Sequence, residues 1–183
     1  MKRVLRWTAC EGGLEHAELV VGAAEIAVEG VVIGADAGQS FGCSYLLRCD
    51  AAWRVRAFEV HRAGGASLVL RGDGAGNWRD GAGHPLPALD GCIDVDLRCS
   101  PLTNTLPIRR LGAQLQQRRE LRVAYVDPLQ LGQGARAAAQ AYTLLGPGRY
   151  RFEGLDSGFI AEIETDDEGL VLRYPGLFER APS

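Results

Sequence analysis

The chain has 183 residues, 46% of them hydrophobic and 23% charged, which suits a single globular domain spanning residues 1–183. A chain of this length buries roughly 70% of the surface that its unfolded form exposes, so it needs no disulfide or metal staple. The formal net charge of −3, the pI near 5.6 and the absence of any Lys or Arg run longer than two argue against nucleic acid as a partner.

The opening MKRVLRWTACEGG is basic, but Arg6 interrupts it and Gly12-Gly13 follow, so it does not read as an export signal. The most apolar window, residues 17–34, carries Glu18, Glu25 and Glu29 and is no membrane span. The five cysteines (Cys10, Cys43, Cys49, Cys92 and Cys99) are odd in number and contain no CxxC pair. They read as reduced thiols of a cytoplasmic protein, with no metal and no cofactor expected.

Period-2 patterning dominates from there on. Strands are expected at residues 15–21, 25–33, 44–49, 53–61 and 67–71, with Gly22-Ala23-Ala24 and Gly64-Gly65 as turns. Later strands are expected at 92–98, 103–111, 121–126, 141–145, 150–153, 159–165 and 170–174. Only residues 112–120 and 134–141 have helical composition, enough for one or two short helices. Short strands with frequent turn signals predict an all-β, single-domain fold, a sandwich or barrel of antiparallel strands.

Three stretches bear on chemistry. Residues 71–78, RGDGAGNW, match a dinucleotide fingerprint only loosely and lack the following helix, so they read as a hairpin with Trp78 packing after it. In DGCIDVDLR, residues 90–98, alternation puts Cys92, Asp94, Asp96 and Arg98 on one face. The preferred reading is a solvated outer face. If Asp94 and Asp96 point inward, they need Arg109 or Arg110 as partners, because unpaired buried charge is costly. In SPLTNTLPIRRL, residues 100–111, an extended chain would point Arg109 and Arg110 to opposite faces, with Pro107 at a sheet edge or a bulge. The inward arginine then either pairs with an aspartate to hold strand register or anchors a polar group at the end of an apolar cavity. His16, His61 and His84 are dispersed, and no nucleophile motif accompanies them.

Residues 89–111, LDGCIDVDLRCSPLTNTLPIRRL, resemble a bacterial family known as the "putative glycolipid-binding" family. The likeness extends to Trp7, residues 74–78, Val123-Ala124-Tyr125-Val126, Gln140-Ala141-Tyr142 and residues 169–178, which is nearly the whole chain. The resemblance implies one strongly curved antiparallel sheet, a barrel or half-open barrel, and non-catalytic binding of a glycolipid or other amphiphile in its cavity. It supplies no catalytic residues. On that reading Arg109 or Arg110, with Asn104, Asp94 and Asp96, would hold the head group, and Trp78, Tyr125 and Tyr142 would line the cavity. Two other readings remain. One is a hydrolase or isomerase built on Asp94/Asp96 and Arg109/Arg110; the other is a protein-interaction module with a filled core.

Overall fold

The computed structural model describes residues 1–36 and 38–182. Among the described residues, fourteen strands form one sheet. The first half comprises β1 (Lys2–Ala9), β2 (Gly13–Val21), β3 (Glu25–Asp36), β4 (Gln39–Asp50), β5 (Val55–Arg62), β6 (Ser67–Gly72) and β7 (Trp78–Asp80). The second comprises β8 (Asp94–Leu97), β9 (Arg119–Val126), β10 (Arg136–Gly146), β11 (Arg149–Gly154), β12 (Phe159–Thr165), β13 (Val171–Tyr174) and β14 (Phe178–Arg180). The two halves join where β1 pairs with β14, so β7 and β8 are the edges of the sheet. All pairings are antiparallel except β8 with β9, which is parallel. The sheet does not close into a barrel; the outcome is the curled, half-open form. Both edge strands are very short, which limits the unpaired backbone they present.

The alternation seen in the sequence sets the inner face. Leu5 and Trp7, Ala17 and Leu19, Ile26, Val28 and Val32, and Cys43, Tyr45 and Leu47 are all buried on it. Gly30 has a specific part in this register. It lies opposite Tyr45, and a Cβ there would stand 2.3 Å from the Tyr45 ring. Without one, the ring lies across β3 and its hydroxyl reaches Glu15 on β2.

The curl leaves a space between the halves, and residues 101–116 fill it. A 3-10 turn (Pro101–Asn104) runs into α1 (Thr105–Leu111) and a second 3-10 turn (Gly112–Gln116). Every residue from Pro101 to Ile108 is buried. Leu102 and Leu106 join the core of the first half, while Ile108 and Leu115 join Tyr142, Phe152, Ile163 and Val171 of the second.

The strand expected at residues 103–111 is therefore a helix. Ser100 starts the turn by accepting the Leu102 N–H on its hydroxyl. Pro107 sits in the first turn of α1, where an N–H has no intrahelical partner to lose. It is at neither an edge nor a bulge. On the helix Arg109 and Arg110 are about 100° apart rather than on opposite faces. Residues 134–141, expected to be helical, lie mostly in β10. Here pairing with β9 along residues 136–142, joined by β11 from Gln140 onward, overrides alanine's local preference, and the small side chains leave room inside the curl.

Arg110 ties the helix to the sheet. Its Nε and Nη2 donate to the two oxygens of Asp94 at 3.0 and 2.5 Å. Asp94 is fully buried, so the expected solvated outer face is overturned, and the partner it then requires is present. Burial pushes the Asp94 carboxyl up, and the guanidinium fork opposes that. We predict that Arg110→Ala lowers the unfolding free energy by about 3–5 kcal/mol by stranding a buried charge. Replacing the pair by Asp94→Leu with Arg110→Met recovers most of the loss. Urea unfolding of both variants checks this, and an unchanged midpoint for Arg110→Ala would refute the tie.

Candidate functional site

The curl retains two chambers that share a wall at Arg98, Leu177 and Phe178. The first, about 390 Å³, is enclosed mainly by β9 to β14. One side of it is polar: Asp96, Arg98, Ser100, Asn104, Arg136, Gln140, Asp156 and Ser157. The other is aromatic, with Phe152, Phe159, Tyr174 and Phe178 in a chain of rings whose centroids stand 5.9–6.4 Å apart. Ala138 and Ala139 face this space, and their small side chains help to keep it open.

The polar side is held in place by its own hydrogen bonds. Gln140 Nε2 donates to Asp96 Oδ2 at 2.6 Å. Tyr142 Oη donates to Asn104 Oδ1 at 2.8 Å, and Asn104 Nδ2 donates to the Pro101 carbonyl. Burial pushes Asp96 up, opposed by Gln140 and Thr103. The Arg136 guanidinium lies 4.4 Å from the centre of the Tyr125 ring.

The second chamber, about 230 Å³, lies between the first three strands, the start of β4 and the loop after β9. Its walls are mostly apolar, with Trp7, Leu14, Val32, Ile33, Phe41 and Leu129 prominent. At the partition stands Glu15, only 2% exposed. Tyr45 and Ser100 both donate to its Oε1, at 2.5 and 2.6 Å, while Oε2 has no partner among the described residues. Burial raises the Glu15 carboxyl to about 7 against the two donated hydrogen bonds. Beside it the buried Cys43 and Cys99 sulfurs lie 3.9 Å apart. Arg98 spans the mouth, bridging Asp36 at 2.7 Å and Asp127 at 3.0 Å.

The structure brings some of the sequence-derived candidates together and separates others. Asp96, Asn104 and Tyr125 line the larger chamber, and Tyr142 stands behind it through its bond to Asn104. Asp94 and Arg110 occupy each other and line neither chamber. Trp78 is buried at the β7 edge, donating from Nε1 to the Cys92 carbonyl at 2.6 Å. Arg109 points to the far end of the curl, over Trp53 and onto the Glu168 carbonyl. Asp94, Asp96, Arg109 and Arg110 thus do not converge on one pocket. Sequence reading missed Glu15, Arg98 and Gln140. Alternation carried a signal for two of them, since it puts Glu15 in phase with the inward Ala17 and Leu19, and Arg98 in phase with Asp96.

These features define a class: an all-β protein whose single curled, half-open sheet holds an interior helix and a two-part cleft. The chain belongs to the family described as "Putative glycolipid-binding", which matches residues 4–180. It is also similar to the crystal structure of a DUF1089 family protein from Pseudomonas aeruginosa, at 39% identity and a TM-score of 0.77. That similarity covers 91% of this chain and 92% of the other. Comparison with curated proteins returns no match. Among the described residues no helix is long and apolar enough to cross a membrane, and no cluster of His, Cys, Asp or Glu is arranged to hold a metal.

The sign of the Glu15 effect on stability follows from its raised pKa. The folded state holds this proton more tightly than the unfolded chain, whose reference value is 4.5. Its stabilisation is therefore fully present below that value and is lost as pH rises through about 7. We expect this single group to cost on the order of 3 kcal/mol between acid and mildly alkaline pH. Glu15→Gln should flatten that part of the profile, as read by denaturant midpoints on either side of neutrality.

Proposed function

We propose that the protein binds an amphiphilic small molecule without transforming it, and that a glycolipid is the class of ligand its walls suit. The carrying observation is the pairing of a polar and aromatic chamber with an apolar one across the shared wall at Arg98, Leu177 and Phe178. A sugar presents hydroxyls that both donate and accept, together with an apolar C–H face. The carboxylate of Asp96, the amides of Asn104 and Gln140 and the nearby rings offer the matching set. The apolar part of the ligand would continue into the smaller chamber, each buried methylene contributing up to ~0.8 kcal/mol.

The family description supports this reading. Among the head-group candidates, Asp96, Asn104 and Tyr125 are the ones we assign to direct contact, with Tyr142 positioning Asn104. The two chambers weigh against a filled-core interaction module, and the separation of the two aspartates and two arginines weighs against a hydrolase or isomerase built on them.

Calorimetric titration with octyl glucoside below its micelle concentration tests the proposal. Saturable binding is expected for the wild type, with about tenfold weaker affinity for Tyr125→Ala, whose half-exposed side chain is not part of the main core. Octyl glucoside binding that is absent, or indifferent to Tyr125→Ala and to Asn104→Ala alike, would sink the head-group assignment.

A further inference from the structure

Two free thiols meet beside the smaller chamber. Cys43 lies on β4 and Cys99 in the turn between β8 and the 3-10 turn at Pro101, 56 residues away in sequence. Both are buried, and their sulfurs stand 3.9 Å apart. Cys99 lines the chamber together with its neighbour Arg98, so the pair meets the cleft on that side. Ser100, the next residue, donates to Glu15 at the partition. The pair therefore sits where the helical segment begins and where the two chambers divide.

The other cysteines lack this setting. Cys10 is exposed just beyond the end of β1, and burial pushes the Cys49 and Cys92 thiols up. Between Cys43 and Cys99 a shared hydrogen bond divides the roles. It holds the Cys43 thiol below its ordinary value and pushes Cys99 well up, with burial adding to the latter. A thiolate is the nucleophile in sulfur oxidation, and a neighbouring thiol resolves the product. A disulfide places its sulfurs about 2 Å apart, so this pair must close by about 1.9 Å. Strand β4 is paired on both sides, whereas Cys99 lies outside regular structure, so the movement falls on its side.

We propose that Cys43 and Cys99 form a reversible disulfide site, oxidised by hydrogen peroxide that enters through the smaller chamber. The Cys43 thiolate attacks the O–O bond and takes one oxygen as a sulfenic acid. The other oxygen leaves as hydroxide and takes up the proton that the thiol had lost, giving water. The Cys99 sulfur then attacks the sulfenic sulfur, its proton leaves with the hydroxyl as a second water, and the S–S bond forms. Two electrons pass from the sulfurs to the peroxide, and a dithiol returns them by exchange. The bond anchors the start of the helical segment to β4, across 56 residues of chain. The inference is independent of the ligand reading, since it needs only that the chamber admit a molecule little larger than water.

The test treats the folded full chain, carrying Cys10→Ser to remove the exposed thiol, with hydrogen peroxide. Free thiols are then blocked in denaturant and the chain is mapped by mass spectrometry without reduction. A loss of about 2 Da is expected, carried by one linked pair of peptides containing Cys43 and Cys99, and dithiothreitol should reverse it. In Cys99→Ser, added to the same background, the linked pair should be absent and a sulfenic acid at Cys43, about 16 Da heavier, should be trapped by dimedone. The mapping of the Cys10→Ser chain stands by itself if that variant fails to fold. Peroxide that leaves Cys43 and Cys99 free, or that links other cysteines instead, would overturn the site and show an ordinary core contact of two thiols.

Discussion

A sheet of fourteen strands that curls without closing has a concave face too wide for its own side chains to fill. Everything else in the structure depends on what occupies that concavity. Here it is residues 101–116, wound into a short helix flanked by 3-10 turns and wedged between the halves. The helix is too short to be stable alone, so packing must hold it. Leu102, Leu106, Ile108 and Leu115 supply the apolar contacts, and the buried fork of Arg110 on Asp94 sets its position. A charge pair of this kind adds little net stability over apolar residues of similar shape. Its contribution is positional: the aspartate is reached only when the helix lies in one orientation against β8.

The same arrangement creates the cleft. The helix fills one part of the curl, and the space left over divides in two: the smaller chamber where the β1–β2 turn, the end of β3 and residues 176–178 meet, and the larger one along β9 to β14. The start of the helical segment contributes directly to this space. Ser100 reaches Glu15 across the partition, and Asn104 presents its side chain to the larger chamber while Tyr142 holds it. One segment thus reaches both the buried ion pair and the cleft, through Arg110 and Asn104, and β8 does the same through Asp94 and Asp96.

Glu15 shows how far such a device extends through the sheet. Its placement requires Tyr45 to lie across β3, and that requires Gly30. One missing Cβ on a central strand therefore determines whether a buried carboxyl on the adjacent strand receives the Tyr45 hydrogen bond. The carboxyl keeps a raised pKa because those bonds do not fully offset its burial. A buried carboxyl of this sort lowers stability as pH rises through about 7.

Much of the fold was legible in the chain itself. Alternation of apolar and polar residues is a local property, and it placed most of the strands and the all-β class, including the phase that points Glu15 inward with Ala17 and Leu19. It failed at residues 103–111 because polar and apolar residues of this segment are buried alike, so no period marks it; Thr103, Asn104 and Thr105 are buried along with Leu106. It failed at 134–141 because alanine's helix preference is weak beside the pairing of β10 with β9. The need of an inward aspartate for an arginine was a matter of electrostatics, readable without coordinates, but which arginine supplies it was not. Adjacent residues in a helix diverge, so Arg110 meets Asp94 while Arg109 crosses to Trp53, and only the packed structure decides between them. The cleft lies furthest from the sequence. Glu15, Ser100 and Arg98 come together through the curl of the sheet, and no local pattern of residues encodes that curl.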